Sequence, residues 1–81
     1  MTQLEVLRKL DRHEILFSEL TEYEKLYVLT EDIDTVADRL AMLKDDNENS
    51  IITEEMIQKV RKLANFLYNV AEYQEDTEST L

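Results

Sequence analysis

The chain has no glycine, no proline and no cysteine in 81 residues. Glycine and proline supply most tight turns, helix ends and close backbone approaches to ligands. Without them there is no glycine-rich phosphate cradle, no nucleophile elbow and no primed hairpin turn. What remains is a helical chain with polar connections, which argues for an interaction protein and against most enzymes. The lack of cysteine excludes disulfides and thiolate chemistry and suits a reducing, cytoplasmic setting. A lone histidine, His13, makes a transition-metal site within one chain improbable. No apolar run approaches the roughly 18 residues of a membrane span. The start, Met1-Thr2-Gln3-Leu4-Glu5, has neither the basic nor the apolar region of a signal peptide.

Acid is what the chain has in excess. Nineteen acidic residues against nine basic ones give a net charge of −10. That balance works against nucleic acid or an anionic membrane as a direct partner. The charge is uneven. From Glu14 to Asp34 the acids Glu14, Glu19, Glu22, Glu24, Glu31, Asp32 and Asp34 face Lys25 alone, and the end carries Glu72, Glu75, Asp76 and Glu78. A chain this short buries only roughly 60% of its unfolded surface, so a single domain has a marginal core.

Apolar periodicity predicts an all-α domain over 1–73, with helices at about 3–18, 22–44 and 54–73 and a flexible acidic tail over 74–81. In the first helix Val6, Leu10, His13, Phe17 and Leu20 recur at helical spacing. The second carries an uninterrupted seam of Leu26, Leu29, Ile33, Val36, Leu40 and Leu43, the spacing of a helix packed at a shallow angle on another. In the third, Met56, Val60, Leu63, Leu67 and Val70 form the stripe, with Ile57, Ala64 and Ala71 beside it. Its apolar arc covers roughly half the cylinder, more than one neighbouring helix needs. Thr2 with Glu5 and Thr21 with Glu24 read as capping boxes, and Thr53 as the cap of the third helix. The first two stripes are out of phase, which places a bend near Ser18 to Thr21. A polar loop from Asp45 to Ser50 joins helices of matched length, so the second and third are expected to form an antiparallel hairpin. The seams hold more apolar stripe than one such chain covers, which favours a homodimeric bundle.

No catalytic, cofactor-binding or metal-binding residues are expected. The acids lack a nearby nucleophile or pocket, and the Asp45 to Glu48 run lacks the glycine and alternation of a calcium loop. His13 reads as a residue at the edge of a helix seam rather than a switch. Lys59, Arg61 and Lys62 splay around their helix and suit pairing with acids better than binding nucleic acid. Tyr23 and Tyr27, one turn apart among Glu22, Glu24 and Glu31, are the candidate hot spot for a basic partner; the competing role is to cover the joint between the first two helices.

The expected function is a small acidic protein-protein interaction module, regulatory or chaperone-like, that binds itself or a protein partner through its apolar seams. The alternative is an acidic decoy of phage or plasmid type that mimics nucleic acid on a DNA- or RNA-binding protein. In size, acidity and hairpin shape the chain resembles the small helical co-chaperones of bacterial secretion systems.

Overall fold

A computed structural model describes residues 1–79. Among them there are three α-helices and no strand: α1 (Gln3–Asp11), α2 (Glu22–Asp46) and α3 (Glu54–Ser79), with a 3₁₀ turn at Phe17–Glu19 between the first two. α2 and α3 pack closely and α1 packs on α2. No described helix is long and apolar enough to cross a membrane. The molecule is a slab of 51 × 26 × 16 Å.

Threonine starts each helix. The Thr2 hydroxyl accepts from the Glu5 N–H at 3.3 Å, and the Thr53 hydroxyl from the Met56 N–H at 3.2 Å. At Thr21 the box is reciprocal: its hydroxyl accepts from the Glu24 N–H at 3.4 Å, and its own N–H donates to the Glu24 carboxylate at 2.8 Å. Each cap satisfies a backbone donor that the first turn leaves orphaned, and is worth about 1 kcal/mol.

α1 is shorter than the periodicity predicts. It ends at Asp11 rather than 18, and the break lies between Arg12 and Leu16, upstream of the expected bend. His13 adopts φ 59°, in the left-handed region. Its N–H donates to the Leu10 carbonyl at 3.1 Å, and the Glu14 N–H donates to the Lys9 carbonyl at 2.8 Å. These two bonds are the Schellman closure of a helix, which ordinarily uses glycine at the position His13 fills. His13 is therefore exposed and outside the helix, a correction to its place on the stripe. The break frees the chain to change phase. Ile15 turns in toward the core and Leu20 is buried, whereas Leu16 and Phe17 stay exposed.

Two further boundaries differ from the sequence reading. α2 runs on through Asp45 and Asp46, so the loop begins at Asn47. There the Asn47 side chain accepts from the Asn49 N–H and the Ser50 hydroxyl from the Ile52 N–H, both at 3.0 Å. These short polar side chains make the turn that glycine would otherwise make. The segment from Gln74 to Ser79, expected to be a flexible tail, continues α3. It is held because Glu75 accepts a hydrogen bond from the buried Tyr27 hydroxyl. Thr80 and Leu81, also assigned to that tail, lie outside the described residues.

The core cluster is Val6, Leu20, Tyr23, Tyr27 and Ala71, with Leu10, Ile15, Leu26 and Tyr68 packed around it. Burying a side chain such as Val6 stabilises by about 1.5–3 kcal/mol. The left-handed conformation costs a β-branched residue most. His13→Val is thus expected to lower stability by about 1–2 kcal/mol in urea unfolding, while His13→Gly causes no such loss. Equal effects of the two substitutions would contradict the assigned helix end.

Candidate functional site

The contact between α2 and α3 is built from small residues and a few rings. α2 buries Tyr23, Tyr27, Thr30 and Ala37; α3 buries Ile57, Ala64 and Ala71. Tyr23, Thr30 and Ala37 are seven residues apart, as are Ile57, Ala64 and Ala71. A spacing of seven keeps side chains on one line of a helix with only a slow drift. Small side chains along both lines let the helices approach closely. The Thr30 hydroxyl, buried in this contact, donates to the Leu26 carbonyl at 2.8 Å.

The large aliphatic residues that stay exposed lie about a quarter turn from that contact on each helix. Leu29, Val36 and Leu43 of α2 remain 45%, 49% and 57% exposed, and Leu63 of α3 50%. Val70 and Met56 are exposed as well, and Leu26, Ile33, Leu40, Val60 and Leu67 are half-buried. Of the ten expected seam residues five are thus exposed and five half-buried, and none is fully buried in the α2–α3 contact. Leu26 of α2 and Val70 of α3 border one groove, together with Tyr23, Gln74, Glu22 and Glu78. A second depression near the α2–α3 loop is lined by Arg39, Met42, Leu43 and Asp46.

Tyr23 and Tyr27 are core, not surface, at 8% and 1% exposed. Their rings meet edge to face at 6.0 Å, and Tyr68 lies against Tyr27 at 5.7 Å. The Met1 ammonium donates to the Tyr23 hydroxyl at 3.0 Å and pairs with Glu24 at 3.8 Å; Gln3 Nε2 donates to the Tyr27 carbonyl at 3.2 Å. The pair covers the joint between α1 and α2, and Tyr23 also lines the groove with Leu26 and Val70. Of the five residues of that candidate hot spot, only Glu22 and Glu31 are exposed; Glu24 is buried as the reciprocal cap of Thr21.

Acids raise the cost of ionising these phenols. Burial pushes Tyr27 well above its ordinary value, reinforced by its bond to Glu75 and by the Glu75 charge. Tyr23 is raised by burial first and then by Glu24, Glu78, Glu75 and Glu5. Tyr68 is raised by hydrogen bonding to Glu72 and then by burial. The first and last thirds of the chain thus bring acids together around one aromatic cluster. Tyr68 and Glu75 escape a reading based on large aliphatic residues. Their signal is spacing, since both lie one turn from Ala71 on the buried line of α3.

Three basic side chains pair with acids of the same chain. Arg61 meets Asp38 at 3.1 Å, Lys44 meets Glu54 at 3.5 Å and Lys59 meets Glu55 at 3.3 Å. Glu54 is held below the usual carboxylate range by hydrogen bonds from Gln58 and Lys44. Exposed pairs of this kind contribute little each. Among the described residues no group of three or more His, Cys, Asp or Glu side chains is placed to hold a metal ion. Comparisons with protein-family models, with curated proteins and with solved structures find no match to this chain.

The Tyr27 shift has a consequence for alkaline stability. A phenol whose folded value lies above its unfolded value of 10.0 contributes stability that is present below pH 10 and lost as the pH rises beyond it. Urea unfolding is expected to show stability falling above pH 10. Tyr27→Phe should make that fall shallower and lower neutral-pH stability by about 1–2 kcal/mol, through the lost bond to Glu75. An unchanged alkaline slope in the variant would show that Tyr27 does not carry the effect.

Proposed function

We propose that this chain is a small acidic protein-protein interaction module, regulatory or chaperone-like, whose working surface is the apolar face of an antiparallel α2–α3 hairpin. The observation that carries the reading is the exposed aliphatic row on each helix: Leu29, Val36 and Leu43 of α2, and Met56, Leu63 and Val70 of α3. Contiguous exposed apolar patches on small soluble proteins mark interaction sites. The chain exposes 6114 Å², whereas a compact monomer of 9.6 kDa would expose roughly 5,100 Å².

The antiparallel arrangement is supported by the order of the cross-links. As positions on α2 rise from Tyr27 through Asp38 to Lys44, their partners on α3 fall from Glu75 through Arg61 to Glu54. A homodimeric bundle follows from the same face, since a second identical stripe pair is the simplest cover for the first. A cytoplasmic setting suits a chain without cysteine. The net charge of −10 directs the module toward proteins, not toward nucleic acid or an anionic membrane.

A second reading has its own support. Glu14, Glu19, Glu22, Glu31 and Asp32 all remain exposed, an acidic surface at the α2 N-terminal end that a nucleic-acid-binding protein would accept in place of phosphates. The two readings separate by salt: a decoy complex weakens steeply as ionic strength rises, and an aliphatic one does not.

The interaction reading is tested at Val36 and Leu63, both about half exposed in the single chain. Val36→Asp and Leu63→Asp are expected to keep the helical circular-dichroism spectrum and to weaken self-association on the order of 100-fold, because a carboxylate would have to be buried unpaired. Association of either variant at wild-type strength would remove this face from the interface.

A further inference from the structure

We infer that the groove between the start of α2 and the end of α3 docks a basic amphipathic helix of a partner protein, with its apolar side chains on Leu26 and Val70 and its lysines or arginines at Glu22 and Glu78. That docking rests on the reading of the exposed aliphatic rows as an interaction surface, and it fixes the chemistry of the partner at one end of them.

The groove holds about 330 Å³ and is built by both long helices: Glu22, Tyr23 and Leu26 come from α2, and Val70, Gln74 and Glu78 from α3. Each helix thus supplies one aliphatic side chain and one carboxylate. No base lines the groove, so every charge in its lining is negative. Glu22 and Glu78 are exposed, and among the described residues neither has an ion pair within the chain. The cations close by are engaged. Lys25, next to Leu26 in sequence, lies over the Phe17 ring at 5.6 Å, and the Met1 ammonium is held by the Tyr23 hydroxyl and Glu24. The surplus of acid is felt at the groove wall: burial raises the Tyr23 phenol, and Glu24, Glu78, Glu75 and Glu5 raise it further.

This lining selects the occupant. A purely apolar segment would desolvate two carboxylates and leave them unpaired. An acidic segment would be repelled. A lysine or arginine lays its methylene stem on apolar surface and keeps its charged head beside a carboxylate. Leucines of the same segment reach Leu26 and Val70. Leu29, exposed one turn on from Leu26, extends the contact lengthwise, which suits a helix laid in a groove. A second copy of this chain carries −10 and is the poorer match to an acidic rim.

The probe is a fluorophore-labelled synthetic amphipathic helix of leucine and lysine, titrated with the full chain and read by anisotropy. Wild type is expected to bind it. Glu22→Gln with Glu78→Gln is expected to bind it on the order of tenfold more weakly. Glu31→Gln with Glu48→Gln removes the same charge outside the groove and should bind at wild-type strength. All four residues are exposed, so both double variants should keep the helical circular-dichroism spectrum. The same peptide with serine in place of leucine should also bind on the order of tenfold more weakly, because it has nothing to lay on Leu26 and Val70. Equal losses from the two double variants, or equal binding of the serine peptide, would reduce the effect to net charge and overturn the inference. Absence of binding by wild type overturns it as well, and loss of self-association in the Glu22–Glu78 variant would then give the groove to a second copy. Each of these results leaves the interaction reading standing, since Val36 and Leu63, where that reading is tested, lie outside the groove lining.

Discussion

The close contact between α2 and α3 is made by Thr30, Ala37, Ala64 and Ala71, with Tyr27 and Ile57 filling the space between, and the rest of the molecule is arranged around it. Small side chains let two long helices come together, but they bury little apolar area. A chain this short compensates at one end only. There α1 and the Ile15–Leu20 segment close over Tyr23 and Tyr27, and α3 extends far enough for Glu75 to receive the Tyr27 hydroxyl. The same choice of contact leaves Leu29, Val36 and Leu43 of α2 and Leu63 and Val70 of α3 exposed beside the line of approach. The open face is the geometric consequence of packing helices through alanine and threonine while carrying leucine and valine a quarter turn away.

The connections show how a helical chain turns without glycine or proline. His13 takes the left-handed position at the end of α1, where its Cβ costs what glycine would not. Asn47 and Ser50 close the α2–α3 loop with side-chain acceptors for backbone N–H groups. Thr2, Thr21 and Thr53 begin the helices in the same way. Each device satisfies a backbone group with a local side chain, so the polar composition of the connections does structural work that other chains leave to special backbone residues.

Much of the fold was legible in the sequence. The all-helical class, the starts of all three helices and the threonine caps follow from periodicity and capping chemistry. Three features were not. The end of α1 was hidden because His13 fits a stripe by spacing, while its role depends on a backbone conformation that spacing does not report. The last turn and a half of α3 read as a frayed tail because Gln74 to Ser79 is polar, and the hydrogen bond that holds it comes from Tyr27, 48 residues away. The interface line was hidden because large aliphatic residues dominate any reading of burial. Ile57, Ala64 and Ala71 repeat strictly at seven, and so do Tyr23, Thr30 and Ala37, which is the pattern that gives the contact away. For the candidate site, Tyr23 and Tyr27 take the competing role of covering the joint between α1 and α2, and the seam residues are exposed or half-buried.

A chain without cysteine allows that line to be located directly. Single cysteines placed at neighbouring positions, Leu63→Cys and Ala64→Cys, are compared by their rates of thiol alkylation across a range of protein concentration. The account predicts that the thiol at 64 is protected at every concentration, and that the thiol at 63 reacts freely in dilute protein and becomes protected as concentration rises. Protection at 63 independent of concentration, with a reactive thiol at 64, would mean that the aliphatic seam is the core and that no open face exists.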